Sequence, residues 1–209
     1  MRITVFGATG KVGRLVVDEL LAHGHTVTAF THSHPLQQSS STIITVQGDI
    51  YNPGDVDRAI QTSDAVISAL GSWGTVRKDV LTNATQNIIP SMEKHSVKRF
   101  ISVTGSGAQT PNEKTNIIEK LSHRIFGLIA PKILRDGEQH IALLTNSDLD
   151  WTVIRSPVMT NRGNPKNYQL SLRNRLYKLT IHRHAVASSI VDQLEETRFT
   201  RQAPYITRS

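Results

Sequence analysis

The sequence has 209 residues, of which 38% are hydrophobic and 20% are charged, and it contains no cysteine. These values predict a single globular domain and exclude a disordered, fibrous or disulfide-stabilised chain, a thiolate metal site and a cysteine nucleophile. No apolar run reaches the roughly 20 residues of a membrane-spanning helix, and the amino terminus lacks the apolar stretch of about 7 to 15 residues of a secretory signal. We therefore expect a cytoplasmic protein with no membrane partner.

The formal net charge of +7 is carried by the carboxyl-terminal part of the sequence. Residues 1–150 contain 14 Lys and Arg against 14 Asp and Glu, whereas residues 151–209 contain 10 against 3. Such an excess attracts anions, including a phosphorylated cofactor, an acidic substrate and nucleic acid. The alternative is a solvated basic face that binds nothing.

Strands and helices alternate along the chain. Short apolar runs bounded by turn residues predict strands over 3–6, 26–31, 43–46, 65–70, 100–103, 150–155, 168–172 and 204–207. Apolar residues at helical spacing predict helices over 12–20, 53–60, 75–94, 117–128, 133–144 and 183–195. Parallel strands need crossover connections, so the alternation predicts a doubly wound α/β fold of the Rossmann type, with a mostly parallel sheet and helices on both faces.

Ligands of such sheets bind beyond the carboxyl ends of the strands. The loops at 7–13, 48–50, 69–74 and 104–107 would gather there. Residues 1–209 are predicted to form one domain, in which 156–209 contribute a basic cap over this edge.

The motif Gly7-x-x-Gly10-x-x-Gly13 follows the first strand and opens the first helix. Glycines allow a tight turn and a close approach of a pyrophosphate, which meets unpaired N–H groups at the positive end of the helix dipole. The context of strand, turn and helix therefore predicts an NAD(P)-binding domain rather than a merely structural turn.

The end of the second strand bears on the choice of cofactor. It carries Thr31, His32 and Ser33 and no carboxylate that could bind the ribose 2′-hydroxyl, which favours NADP over NAD. The alternative is a set of solvated loop side chains that bind nothing. Asp49 and Ile50 follow the third strand, where they could contact the adenine, although Asp49 is also typical of a turn or helix cap.

Several segments together resemble the atypical short-chain dehydrogenases, and within them the NAD(P)H-binding, NmrA-like and flavin reductase (biliverdin reductase B-like) group. They are GATGKVG at 7–13, GDI at 48–50, SALG at 68–71, VKRFISVT at 97–104, DWTVIRSP at 150–157 and IHRHAVA at 181–187. The resemblance covers nearly the whole sequence.

The resemblance implies a cofactor site, residue by residue. The pyrophosphate would be held by Gly7, Thr9, Gly10, Lys11, Val12 and Gly13, the adenine by Asp49 and Ile50, the ribose by Ala69, Leu70 and Gly71, and the nicotinamide by Thr104 and Pro157. His32 stands where many relatives have an arginine for the 2′-phosphate.

The proton relay of the short-chain dehydrogenases, a Tyr followed four residues later by Lys, is missing from the sequence. Tyr51, Tyr168, Tyr177 and Tyr205 are followed at that spacing by Asp55, Leu172, Ile181 and Ser209. We therefore expect hydride transfer to a flavin, quinone or tetrapyrrole, for which orientation contributes most. The alternative is an NmrA-like regulatory protein that senses NADP(H) without turnover.

Three residues are catalytic candidates at the end of the predicted site where the acceptor would react, and Trp73 is a candidate for acceptor binding there. Ser106, between two glycines, and Thr104 could donate to the acceptor or could bond the local backbone. His140 shares the apolar stripe of its predicted helix, so it faces either the pocket or the core. Trp73 could stack on a planar acceptor or cover the edge of the core.

The basic cap suits an anionic acceptor. Its cations are Arg162, Lys166, Arg173 and Arg175. Few aromatic residues and no recognised reading helix accompany them, so nucleic acid is not favoured as a partner. The sequence leaves monomer and homodimer open.

Overall fold

The computed structural model describes residues 1–32, 42–111, 113, 115, 117–173 and 179–209. The strands are β1 (Arg2–Phe6), β2 (Thr26–Thr31), β3 (Ile43–Gln47), β4 (Ala65–Ser68), β5 (Arg99–Gly105), β6 (Asp150–Ser156), β7 (Val158–Thr160), β8 (Gln169–Ser171), β9 (Thr180–His182) and β10 (Tyr205–Thr207). The helices are α1 (Lys11–Ala22), α2 (Pro53–Ile60), α3 (Val80–Lys94), α4 (Ile117–Ile129), α5 (Pro131–Thr145) and α6 (Arg183–Asp192).

Eight strands form one sheet in the order β3-β2-β1-β4-β5-β6-β10-β8. Its pairings are parallel except between β10 and β8. The strand order reverses between β1 and β4, and a reversal of this kind opens a crevice for ligands at the carboxyl ends of the strands. The predicted doubly wound α/β fold is confirmed.

The helices cover both faces of the sheet. On one face, α1 and α6 pack together, with Val17 and Ile190 fully buried in the same core cluster. On the other face, α2, α3 and α5 pack side by side over a second cluster that contains Phe100 and Ile141. Because helices cover both faces, the central strands are apolar on both sides.

Residues 156–209 form more than the predicted cap. Within them α6 belongs to a helical layer and β10 pairs with β6 in the main sheet. The two short strands β7 and β9 pair with each other in a separate ribbon near the carboxyl edge. The predicted cap is therefore too broad, because part of this segment completes the sheet.

One helix begins later than the sequence pattern predicts. The prediction over 75–94 is correct only from Val80, because residues 75–79 form a separate turn. The Thr75 hydroxyl lies 2.8 Å from the carbonyl oxygen of Ser72 and 2.5 Å from that of Arg77, and these bonds compete with helix formation.

No helix in the part of the chain described by the structure is both long and apolar enough to span a bilayer.

Candidate functional site

A cavity of about 890 Å³ lies at the carboxyl ends of β4, β5 and β6, where it meets the start of α1. Such a volume suits a small-molecule or cofactor site. The predicted site residues that line it are Lys11, Val12, Ala69, Leu70, Gly71, Thr104, Ser106 and Pro157. The structure thus brings together the predicted pyrophosphate, ribose and nicotinamide ends of the site.

In the turn from Gly7 to Gly13, a side chain at either of these two glycines would collide with backbone atoms. Gly7 has a φ of +78°, and a Cβ there would lie 2.9 Å from the backbone of Ala69. A Cβ at Gly13 would lie 2.0 Å from the carbonyl oxygen of Gly7. The start of α1 therefore packs directly against the end of β1, which requires glycine at both positions.

The amino terminus of α1 is open toward ligands. Gly10 is its N-cap and makes no side-chain cap bond, and no side chain among the described residues bonds the N–H groups of residues 11–13. The first backbone bond of the helix runs from the Arg14 N–H to the Gly10 carbonyl, 3.0 Å away. The N–H groups of residues 11–13 are therefore available for an anion at the positive end of the helix dipole.

Two of the three predicted 2′-phosphate residues, Thr31 and His32, lie at the end of β2 and are not among the residues that line the cavity. Thr31 is 2% exposed, and its hydroxyl is buried with no hydrogen-bond partner among the described residues. His32 is exposed, and its carbonyl oxygen accepts a bond of 3.2 Å from Gln47. Ser33 lies outside the described residues, as do Arg175 and Tyr177.

Asp49 has the turn role that the sequence left open. Its Oδ1 accepts from the N–H of Tyr51 at 3.0 Å, and its own N–H donates to Asp55 at 2.9 Å. The N-cap of α2 is instead Asn52. Ile50 is partly buried against the second core cluster. Asp49 and Ile50, in the turn between β3 and α2, are not among the residues that line the cavity.

Thr104 and Ser106 line the cavity at the carboxyl end of β5. Thr104 is 7% exposed, and α5 approaches it so closely that a Cβ at Gly137 would lie 2.6 Å from the Thr104 hydroxyl oxygen. The Ser106 N–H donates to the Ser156 carbonyl at 2.8 Å, which holds the loop after β5 against the end of β6.

His140 lies in the core and does not line the cavity. It is 1% exposed, with Nδ1 2.5 Å from the Thr85 hydroxyl and Nε2 2.8 Å from the Ser102 hydroxyl. Burial lowers the pKa of His140 to about 4, against a smaller opposing effect of Asp136, so the ring is neutral at pH 7. The predicted catalytic role of His140 is wrong, because the inward face of α5 packs on α3 and β5.

The histidine that does reach the cavity is His123 on α4. Its Nε2 lies 2.7 Å from Glu138 Oε1 on α5, and both side chains are about one-third exposed, 31% and 33%. The sequence pattern did not identify this pair. A sequence signal for it is the break at Pro131: residues 123 and 138 stand at nearly equal distances on either side of the break, so they meet when the two helices fold back on each other.

Aromatic and cationic side chains complete the wall. Trp73 lines the cavity although it is 67% exposed, and Phe126 and Arg183 line it from α4 and α6. The described lining contains Lys11, His123 and Arg183 but no Asp or Glu. The cavity therefore favours anionic ligands.

A buried charged cluster supports the far side of the cavity. Arg155, 2% exposed, donates to Glu113 Oε2 at 2.6 Å, and its guanidinium stacks 3.6 Å from the ring centre of Tyr205. The Tyr205 hydroxyl donates to Glu113 Oε1 at 3.1 Å. Burial raises the pKa of Glu113, but the bonds from Arg155 and the Thr110 N–H outweigh this effect and leave that pKa below its ordinary value. Tyr205, which lines the cavity, is thereby held in place.

A buried carboxylate, that of Asp136, fixes the loop that carries Trp73. Asp136 on α5 is 2% exposed and accepts from the backbone N–H groups of Leu81 and Thr82 at 3.1 and 2.8 Å. It also accepts from the Ser72 hydroxyl. Asp136 thus caps α3 from another helix and anchors the 71–74 loop.

No group of three or more potential metal-binding His, Asp or Glu residues occurs within the described ranges.

Comparisons with known proteins agree with this geometry. A family model described as NAD(P)H-binding matches residues 7–197. A 2-alkyl-3-oxoalkanoate reductase of Shewanella oneidensis is 37% identical over 192 residues, which cover 85% of this chain and 50% of that protein. A second such reductase, from Stenotrophomonas maltophilia, is 27% identical over 64% of this chain and 39% of its own length. The chain thus spans half or less of these two relatives.

Solved structures share the fold over nearly the whole chain. A short-chain dehydrogenase/reductase from Veillonella parvula in complex with NADP has a TM-score of 0.80 at 20% identity, covering 99% of this chain and 94% of that one. An anaerobillin reductase from Escherichia coli has a TM-score of 0.75 at 19% identity, covering 100% and 97%.

Proposed function

We propose, on the premise that this chain belongs to the NAD(P)H-binding family, that it is a reductase that transfers hydride from NADPH to a flavin, quinone or similar conjugated acceptor. The observation that carries the proposal is the cavity of about 890 Å³ that joins the start of α1 to the loop after β5. It offers a backbone site for a dinucleotide at one end and side chains for an acceptor at the other.

The glycine turn supports dinucleotide binding. The close packing at Gly7 and Gly13 and the open first turn of α1 fit a pyrophosphate, which would accept from the N–H groups of residues 11–13. Ala69, Leu70 and Gly71 would contact the ribose, and Thr104 and Pro157 the nicotinamide. The bound cofactor supplies the hydride.

We further propose that NADPH is preferred over NADH. The described residues at the end of β2, Thr31 and His32, include no carboxylate that would repel a 2′-phosphate. Lys11 and Arg14 are exposed at the adjacent start of α1. The structural neighbour from Veillonella parvula, which was crystallised with NADP, supports the same preference.

The side chains at the other end suit acceptor binding and protonation. The hydroxyls of Thr104 and Ser106 would bond polar edges of the acceptor, and Trp73 would stack on its plane. Reduction also consumes a proton, which His123 would give from Nδ1 while Glu138 holds Nε2. Because His123 is 31% exposed, solvent would then reprotonate it.

Conjugated acceptors need little further acid catalysis, which agrees with the missing Tyr and Lys pair. Tyr205 does line the cavity, but its hydroxyl donates to Glu113 and the residue four places later is Ser209. The positive lining favours acceptors that carry a phosphate or carboxylate.

The proposal is tested by mixing the purified protein with NADPH and a panel of flavins, quinones and tetrapyrroles and recording the loss of reduced nicotinamide by absorbance. We expect turnover above the protein-free background with at least one acceptor. Tight NADPH binding without turnover on any acceptor would instead support the NADP(H)-sensing regulatory protein. If neither NADPH nor NADH binds, both functions are excluded.

A further inference from the structure

Helix α4 carries a stripe of exposed apolar side chains. Ile117, Leu121, Ile125, Leu128 and Ile129 are 83%, 59%, 49%, 81% and 74% exposed. At 3.6 residues per turn they span an arc of about 120° on one side of the helix. The five side chains thus form one contiguous apolar surface, unlike single exposed apolar residues, which are normal on a protein surface and need no explanation.

The stripe is separate from the cavity. His123 and Phe126, the α4 residues that line the cavity, fall on the opposite side of the helix by the same periodicity. A partner that covers the stripe would therefore leave the cavity wall in place. Binding at the stripe is independent of the proposed reaction.

Cations flank the stripe. Lys120 and Arg124 are exposed and lie along one edge of it, and Lys132 and Arg135 are exposed at the start of the neighbouring α5. None of these four side chains has an acidic partner among the ion pairs of the described residues. Within the described side chains, the surface thus combines apolar residues with cations that form no ion pair.

This combination disfavours a second copy of the chain as the occupant. Two such helices packed about a two-fold axis would bring like charges together. The stripe is also small: a helix of 13 residues is about 20 Å long, and a strip about 10 Å wide covers on the order of 200 Å². A standard interface needs about 800 Å² on each partner.

We propose that α4 binds the surface of an anionic lipid bilayer. An amphipathic helix with Ile and Leu on one side and Lys and Arg beside them lies in the plane of the interface, with its apolar side among the acyl chains and its cations at the head groups. Attachment of this kind needs no spanning helix. It revises the expectation of no membrane partner, which rested on the lack of a spanning segment and of a secretory signal.

The experiment uses the full chain without cofactor and measures its sedimentation with vesicles. One set of vesicles is phosphatidylcholine alone, and the other also contains phosphatidylglycerol. We expect the protein to sediment with the anionic vesicles, more weakly with the neutral ones, and less as salt is raised.

Two variants locate the binding surface. Leu121→Gln with Ile125→Gln should weaken binding to anionic vesicles about a hundredfold, since each substitution removes an apolar anchor worth about tenfold or more. Lys120→Gln with Arg124→Gln should weaken it about tenfold or more at low salt. The matched control is Ile44→Gln with Leu172→Gln, which removes apolar side chains that are 54% and 51% exposed on β3 and after β8, and it should bind normally.

Circular dichroism must show an unchanged thermal midpoint for each variant. The proposal is overturned if the wild-type chain does not sediment with anionic vesicles, or if the α4 variant sediments as well as the control. A concentration-dependent dimer in analytical ultracentrifugation that the α4 substitutions abolish would assign the stripe to a second copy and overturn it as well. Since no cofactor is present, these results are separate from failure of the proposed reductase activity.

Discussion

The two ends of the cavity are built in different ways. At the start of α1 the site is backbone: a tight turn, close packing at Gly13 and uncapped N–H groups. At the far end it is a set of side chains from four separated segments, represented by Trp73, Ser106, His123 and Tyr205. A backbone site is fixed by one short motif, whereas a side-chain site depends on long-range contacts that hold each group.

The difference has a physical consequence. The backbone end is damaged only by a change in the path of the chain. The close packing at the glycines means that an added side chain forces such a change. The far end relies on two carboxylates, the partly buried Glu113 and the buried Asp136, that position the elements around it. Substitutions at each end test this difference, in decreasing order of effect.

The largest effect is expected from Gly13→Ala, which would break the backbone end. Its Cβ would lie 2.0 Å from the Gly7 carbonyl oxygen, so the turn must move and the first-turn N–H groups lose their alignment. Loss of two charge-assisted bonds of about 2 kcal/mol each corresponds to about a thousandfold weaker NADPH binding, measurable by titration calorimetry.

The control for this variant is Gly24→Ala. Gly24 has a φ of +76° and open space around its Cβ position, far from the cavity. It should lose about 1 kcal/mol of stability and bind NADPH normally. Equal binding by both variants would contradict the proposed pyrophosphate site.

The support of the far end is tested by Glu113→Gln. This change leaves the Arg155 guanidinium, 2% exposed, without its carboxylate and should lower the free energy of unfolding by about 3 kcal/mol in urea. Because the pKa of Glu113 is lowered on folding, the loss should be largest at neutral pH and should shrink as pH falls below about 4.5. Glu93→Gln, at an exposed position, should change stability by no more than about 0.5 kcal/mol.

The separation of the core from the cavity is tested by His140→Gln. The pKa of His140 is about 4 in the folded chain against 6.5 for an ordinary histidine, so the unfolded state takes up a proton between these pH values and the wild type loses stability there as pH falls. Relative to this variant, the wild type should lose on the order of 2–3 kcal/mol between pH 7 and pH 4. The control is His32→Gln, at an exposed position. If the difference in unfolding free energy between the wild type and His140→Gln did not change with pH, the His140 ring would not be buried in its neutral form.

The smallest of these effects is expected from His123→Gln at the far end. Removing the proposed proton donor should lower kcat about tenfold to a hundredfold with the accepted substrate, while NADPH affinity stays unchanged. Steady-state kinetics and calorimetry measure the two quantities. His23→Gln, outside the cavity at the end of α1, is the control and should leave kcat unchanged; an equal fall in both variants would remove His123 from the proposed mechanism.

The parts of the fold with strong local signals were predicted closely. The bounds of β2 and α2 agree with the prediction, since Gly24 and Asn52 mark their starts and the Asn52 side chain accepts from the Gly54 N–H at 2.9 Å. The start of α3 was predicted too early because its cap comes from Asp136, on another helix. β7 and β9, three residues each, are too short to show a periodic pattern.

The candidate site shows the same difference between local signals and long-range contacts. The resemblance that rests on the glycine motif is confirmed by the match over residues 7–197. For the histidines, apolar periodicity identified the inward side of α5, and that side packs in the core around His140. His123 reaches the cavity only because α4 and α5 fold back at Pro131, a tertiary contact that periodicity within one helix does not report.

The Asp136 carboxylate connects two structural tasks that would otherwise be independent. It completes the hydrogen bonding at the start of α3 and it receives the Ser72 hydroxyl, next to Trp73. Any change to the cavity wall through this loop must therefore keep a hydroxyl donor at residue 72. Without that donor, a substitution intended to reshape the wall at Trp73 would also weaken the hydrogen bonding that holds the start of α3.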